Sequence, residues 1–154
     1  MIYDINYWHI QLHKDKKLEN VQLKKLLLDK KVIGLGEAWV DKNGTPMKDP
    51  EFFKSRMSVG DVVLVRNTIE PIALVQIKSD FYLEKDVDLA LDWFPLRRNI
   101  EIIGFYSEKE EKLLQSTLRK YQKRQIQALG TLTLCKGDTA TYSFIKSWYD
   151  SVAK

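Results

Sequence analysis

The sequence predicts an α+β fold, with short strands curled into a small sheet or barrel wrapped by helices. Three observations carry that reading. Val62 to Val65 is a run of four apolar residues after Gly60-Asp61, and Ile72 to Ile77 returns beside it, as two strands of a hairpin. Leu18 to Leu28 has apolar residues at 18, 21, 23, 26, 27 and 28 with no glycine or proline, the mark of a helix. Ser107 with Glu110 three residues on reads as a capping box, opening a helix that runs to about Ala128 before Gly130.

The other elements follow in order. Asn6 to Leu12 alternates apolar and polar residues and predicts a strand bearing Trp8, Ile10 and Leu12. Val32 to Gly36 predicts a strand running into a loop, and Lys42-Asn43-Gly44-Thr45-Pro46 is rich in turn residues. Pro50 to Arg56 reads as a short helix capped by Asp49 with proline at its first position. The apolar run at Val62 predicts burial on both faces of the sheet. Asn67 to Pro71 serves as the hairpin loop, Ile100 to Phe105 is a further strand, and a last helix follows Asp138. No internal repeat or low-complexity linker is visible, so residues 1–154 read as one domain.

Composition narrows the function. At 154 residues, 44% hydrophobic and 30% charged, the chain is long enough and apolar enough for one real core. No stretch approaches the ~18 apolar residues of a membrane span, and the first residues lack the basic-then-apolar pattern of a secretory signal. Cys135 is the only cysteine, which fits a reducing cytoplasm. Net charge is +4, modest in size but uneven. Lysines crowd positions 14 to 31, Arg97-Arg98 stand together, Arg119 to Arg124 form a second basic cluster, and acids collect between Glu84 and Asp92. Such asymmetry orients a polyanion on one face; the plainer reading is solvated helix surface.

Catalytic signatures are missing. His9 and His13 are four apart on a strand-to-loop segment, where that spacing does not aim two imidazoles at one metal. Gly34-Leu35-Gly36-Glu37 lacks the third glycine of a phosphate loop, and no two acids are placed for acid–base work. No enzyme, metal or cofactor is expected. The aromatics say more: Trp8, Trp39 and Trp93 fall at strand ends or in loops, as does Phe81-Tyr82, while Trp148 on the last helix reads as core. Aromatic faces at strand ends are what an extruded base stacks on, although large aromatics are more often simply buried.

In order along the chain stand Tyr7-Trp8-His9-Ile10, Ile33-Gly34-Leu35-Gly36-Glu37, Met57-Ser58-Val59-Gly60-Asp61-Val62-Val63-Leu64-Val65, Ile72 to Ile77, Phe81-Tyr82, and Pro95 to Glu101. This series resembles the PUA-like superfamily, specifically the EVE/YTH-type N-terminal domains of McrB-like, modification-dependent restriction proteins. The resemblance covers about residues 5–105, with residues 107–154 as C-terminal helices. Two positions depart from it. Leu35 stands where the family carries a tryptophan, and Glu101-Ile102-Ile103 stands for its Glu-Trp-Leu.

The resemblance implies a curled sheet of PUA-like type with a cleft that holds a modified base flipped out of duplex DNA. On that reading Trp39, Tyr82 and Trp93 form the box, with Trp8, His9, Leu35 and Glu37 at its edge. Arg97, Arg98, Lys14, Lys42 and Arg66 meet the DNA backbone. A GTPase domain further along the full-length chain and a separate nuclease subunit are the implied partners. The chain stops inside its last predicted helix, at Asp150 to Lys154, so an excised domain is expected. An RNA-binding module of the same fold and a protein-interaction domain are the competing readings. Independently of any family, Gly60-Asp61 predicts a tight turn whose carboxylate holds free backbone N–H groups.

Overall fold

Four apolar residues in a row place β3 (Val62–Asn67) between two cores, and the rest of the sheet is built outward from it. The computed structural model describes residues 5–12, 19–35, 49–67, 70–87, 94–117, 132–135, 137 and 139–152. Strand β1 (Tyr7–Gln11) lies parallel to β3, with Tyr7 opposite Val62 and Gln11 opposite Arg66. On the other side β3 pairs antiparallel with β4 (Glu70–Ile77), which pairs with the long β6 (Leu96–Phe105). Helix α1 (Asn20–Lys30) leads into β2 (Val32–Leu35), which pairs with the first half of β6. Two very short strands complete the sheet: β5 (Tyr82–Leu83) on β6 and β7 (Leu132–Leu134) on β1. The order is β2-β6-β4-β3-β1-β7 with β5 alongside β6, a mixed sheet strongly curled into a half-barrel. Helices α2 (Asp49–Ser55), α3 (Glu108–Thr117) and α4 (Ala140–Val152) join α1 in an α+β architecture.

Strand periodicity sorts the side chains. Val63, Val65, Trp8, Ile10 and Val75 face one core, which Leu23, Leu26 and Leu27 of α1 and Phe53 of α2 close. Val62, Leu64, Tyr7 and Leu74 face the other, closed by Phe144, Ile145 and Trp148 of α4. Burial on both faces therefore holds for β3, and Trp148 is core as its sequence position predicts. Edge-on ring contacts of Tyr106 with Phe144 and Trp148 finish the second core.

The hairpin is tighter than its sequence reads. Pairing continues through Arg66 with Pro71 and Asn67 with Glu70. Pro71 looked like loop punctuation, but it sits beside a register shift at Val65/Arg66, where a strand tolerates the missing N–H. Strand β6 likewise starts at Leu96 rather than Ile100, because pairing with β2 and β5 draws Arg97 and Arg98 into the ladder. Strands β5 and β7 have two and three residues, too few to show a period, and were not predicted. Ser107 does open α3, its hydroxyl donating to the Glu110 carboxylate. The predicted continuation of that helix to Ala128 and the turn at residues 42–46 lie outside the described residues.

The turn before β3 is built as expected. Gly60 has φ +97°, and the Asp61 N–H donates to Ser58 O at 3.0 Å. Only glycine adopts that φ at little cost. No helix among the described residues is long and apolar enough to cross a membrane.

Candidate nucleic-acid interface

Most of the predicted site residues that the structure describes fall at two places in the fold. The first is the corner where β2, β5 and β6 meet. There Leu35 pairs with Leu96, and Leu96 pairs with Leu83 on its other side. Gly34 makes the corner tight: a Cβ there would lie 2.3 Å from both Leu96 O and Phe94 Cδ2. Phe94 therefore packs directly on the bare backbone of β2, and Leu35 beside it is buried core rather than pocket wall.

Tyr82 stands on this corner opposite Arg97. Its ring is half-buried, its hydroxyl donates to Asn99 Oδ1, and burial raises its pKa, with Arg97 acting the other way. Phe81 and Leu83 on either side are exposed, so β5 presents apolar surface to solvent. Arg97 is not the outward charge that its sequence position promised. It is buried, donates from Nε to Phe94 O at 3.0 Å, and lies 5.2 Å over the Phe94 ring. A guanidinium held by a carbonyl against the Phe94 ring orients that ring and is not presented to a phosphate.

Arg98 requires a fuller correction. It is 2% exposed, and its fork donates to four carbonyls: Phe53 (3.0 Å), Lys54 (3.2 Å), Met57 (2.7 Å) and Ser79 (3.1 Å). Two of these, Phe53 and Lys54, are end carbonyls of α2 that no later turn of that helix accepts. Arg98 is thus the C-terminal cap of α2, supplied by a neighbouring strand, and its charge also suits the negative end of the helix.

The second place is the face of β1 and β3 that looks toward α4. Arg66 donates from Nε to His9 Nδ1 at 3.0 Å and from Nη1 to Gln11 Oε1 at 2.7 Å. Both His9 and Arg66 are buried. Burial, with Arg66 adding to it, pushes the His9 pKa down to about 3, and burial pushes that of Arg66 down to about 10. At neutral pH the imidazole is uncharged with its proton on Nε2, and the guanidinium stays charged. Cys135 nearby is pushed up to about 12 by burial and is an unreactive thiol. Arg66 therefore knits β1 to β3 instead of facing DNA. The signal was present in the sequence: period two puts Arg66 on the inward face of Val62 and Leu64.

Trp8 turns the other way from His9 and does not edge a box. It is wholly buried in the first core, and its Nε1–H donates to Asp61 Oδ2 at 3.0 Å. Asp61 also accepts from the backbone N–H of Ser58 (2.9 Å) and of Asn6 (3.2 Å), a role the sequence assigned to it in kind but not in partners. Trp39, Glu37, Trp93, Lys14 and Lys42 lie outside the described residues. Among the described residues no three of His, Cys, Asp and Glu gather as metal ligands do.

A pH prediction follows from His9. Its folded pKa of about 3 is below the ordinary 6.5. The contribution of the neutral buried ring is complete above about 6.5 and is lost as pH falls toward 3, at up to ~1.4 kcal/mol per pH unit. His9→Gln keeps an acceptor for Arg66 and removes the titration. Its urea midpoint should fall less steeply than the wild type's between neutral and mildly acidic pH. Parallel slopes would show that His9 is not the group responsible.

No family model matches this chain, and no curated protein matches it. Among solved structures it is similar to protein Atu2648 from Agrobacterium tumefaciens, known from X-ray crystallography. The identity is 12% over 90% of each chain, with a TM-score of 0.43, too distant a likeness to bear on function.

Proposed function

We propose that this chain is a nucleic-acid reader that holds a modified base of duplex DNA against aromatic side chains at the β2–β5–β6 corner. The observation that carries the reading is the register of Leu35, Leu96 and Leu83. Those three neighbours put Tyr82, the point where the chain leaves Leu35 and the point where it enters Phe94 at one corner; in sequence Glu37 and Trp39 follow the first point and Trp93 precedes the second. The resemblance to EVE-type domains names the same regions as a base-binding cleft. A half-buried Tyr82 flanked by exposed Phe81 and Leu83 is surface suited to stacking. Arg97 and Asn99 serve it as positioning residues, one beside the ring and the other at its hydroxyl. Phosphate contacts fall to exposed cations such as Lys85, two residues past Leu83, and not to Arg66, Arg97 or Arg98.

The test is binding to matched duplexes that are unmodified, 5-methylcytosine-containing or N6-methyladenine-containing, with an RNA of the same sequence. Base–aromatic stacking is worth ~1–3 kcal/mol, so Tyr82→Ala or Trp39→Ala should weaken the preferred modified duplex by about 5- to 150-fold. Salt-dependent binding to unmodified duplex should survive both changes. Equal affinity for all duplexes, or a preference for the RNA, would overturn the proposal.

A further inference from the structure

Strand β6 is paired on both sides along its first half but on one side along its second. Residues 96–99 pair with β2, whose last contact is the Ile100 N–H donating to Lys31 O at 2.9 Å. Beyond it Ile100 to Phe105 pair with β4 alone. Among the described residues no strand takes the other edge of Ile102, Ile103, Gly104 and Phe105, all of them half-exposed.

Natural sheets guard such edges with lysines, prolines or inward charges. This edge has none of these between Ile102 and Tyr106; its one irregularity is a register shift that leaves Ile103, between Ile102 and Gly104, without a partner on β4. A groove flanks it on each face. One, of about 450 Å³, is lined by Leu28 and Lys31 with Ile100, Glu101 and Ile102. The other, of about 350 Å³, is lined by Tyr149 and Val152 with Gln76, Glu101, Ile102 and Ile103. Leu28 and Val152, the outer walls, are 53% and 38% exposed. Backbone groups that no described strand pairs, between a mainly apolar groove on the α1 face and a mixed polar and apolar one on the α4 face, accept an extended strand whose side chains alternate into one groove and the other.

We infer that a second copy of this chain fills the edge, β6 against β6 in antiparallel two-fold pairing. Charge selects this occupant. Glu101 is already bridged to Lys78 at 3.2 Å, and pairing about Ile103 sets it opposite Phe105 of the second copy, not against its own image. The same geometry brings the end of β6, which runs into Glu108 at the acidic start of α3, beside the other copy's Lys30 and Lys31 at the end of α1. Opposite charges thus meet twice, as a two-fold interface requires. The β2–β5–β6 corner lies at the other end of β6, so the pairing leaves it uncovered and stands independently of the function proposed above.

The experiment is sedimentation equilibrium of the full chain over a wide concentration range, with amide exchange at residues 102–105. The expected result is a dimer, with exchange at those amides slowing as concentration rises. Leu28→Glu with Val152→Glu changes only exposed groove walls and should raise the dissociation constant about tenfold or more, with the circular dichroism spectrum unchanged. Lys31→Glu should weaken association, and adding Glu108→Lys should restore it. A monomer at every concentration would overturn the inference. So would a dimer that the groove variant leaves intact, since another face would then be in use. A monomer that instead binds an extended apolar peptide along residues 102–105 would give the edge to a foreign strand.

Discussion

Replacing Asp61 with alanine is expected to lower the melting temperature by roughly 5–15 °C. The carboxylate accepts three hydrogen bonds, from Trp8 Nε1 (3.0 Å), Ser58 N (2.9 Å) and Asn6 N (3.2 Å). These tie β1, the turn before β3 and a wholly buried indole to one side chain. Alanine leaves the Trp8 indole without an acceptor and hands the part-buried Ser58 and Asn6 N–H groups to water; an unsatisfied buried donor costs ~1–3 kcal/mol. The indole cannot turn to water, because Trp8 is fully enclosed by the first core. Thermal unfolding followed by circular dichroism reads the loss. Asp61→Asn retains a carbonyl acceptor and should fall between wild type and alanine. Trp8→Phe removes one donor, so the second loss at Asp61 should be smaller in that background. An alanine variant that melts with the wild type but loses selectivity among duplexes would move Asp61 into the binding site.

Arg98→Met is expected to have a comparable effect, on the order of 2–4 kcal/mol, because hydrogen bonds to a charged group contribute about 1.5–3 kcal/mol and buried carbonyls are left without a donor. Methionine fills much of the same space against Phe53, whose ring lies 5.6 Å from the guanidinium carbon. It offers nothing to the carbonyls of Phe53, Lys54, Met57 and Ser79. Lysine restores the charge but not the planar fork that spans those oxygens, so Arg98→Lys should recover only part of the loss. The urea midpoint measures the total, and amide exchange should place the loosening at α2. If Arg98 instead met phosphate, its removal would spare stability and flatten the salt dependence of duplex binding.

The class of fold, the order of its main elements and the two-sided burial of β3 were legible because long apolar periods and turn residues are local signals. Leu18 to Leu28 has no breaker to interrupt a helix, and Val62 to Val65 has no polar face to turn toward water. The turn at Gly60-Asp61 was legible for the same reason: φ and a short carboxylate are properties of two adjacent residues. Pairing is different, because it joins residues far apart in the chain. Arg97 and Arg98 read as exposed charge and became strand, one held against Phe94 and the other capping α2, when β2 and β5 closed on β6. Trp8 and His9, neighbours in sequence, were parted onto opposite faces by the pleat, one to Asp61 and the other to Arg66. The sequence by itself determined what the main segments would become and which apolar residues had to leave water. Only the tertiary structure decided which buried cation would meet which carbonyl, because a guanidinium taken from water goes wherever a helix end or a turn brought beside it has left acceptors unpaired.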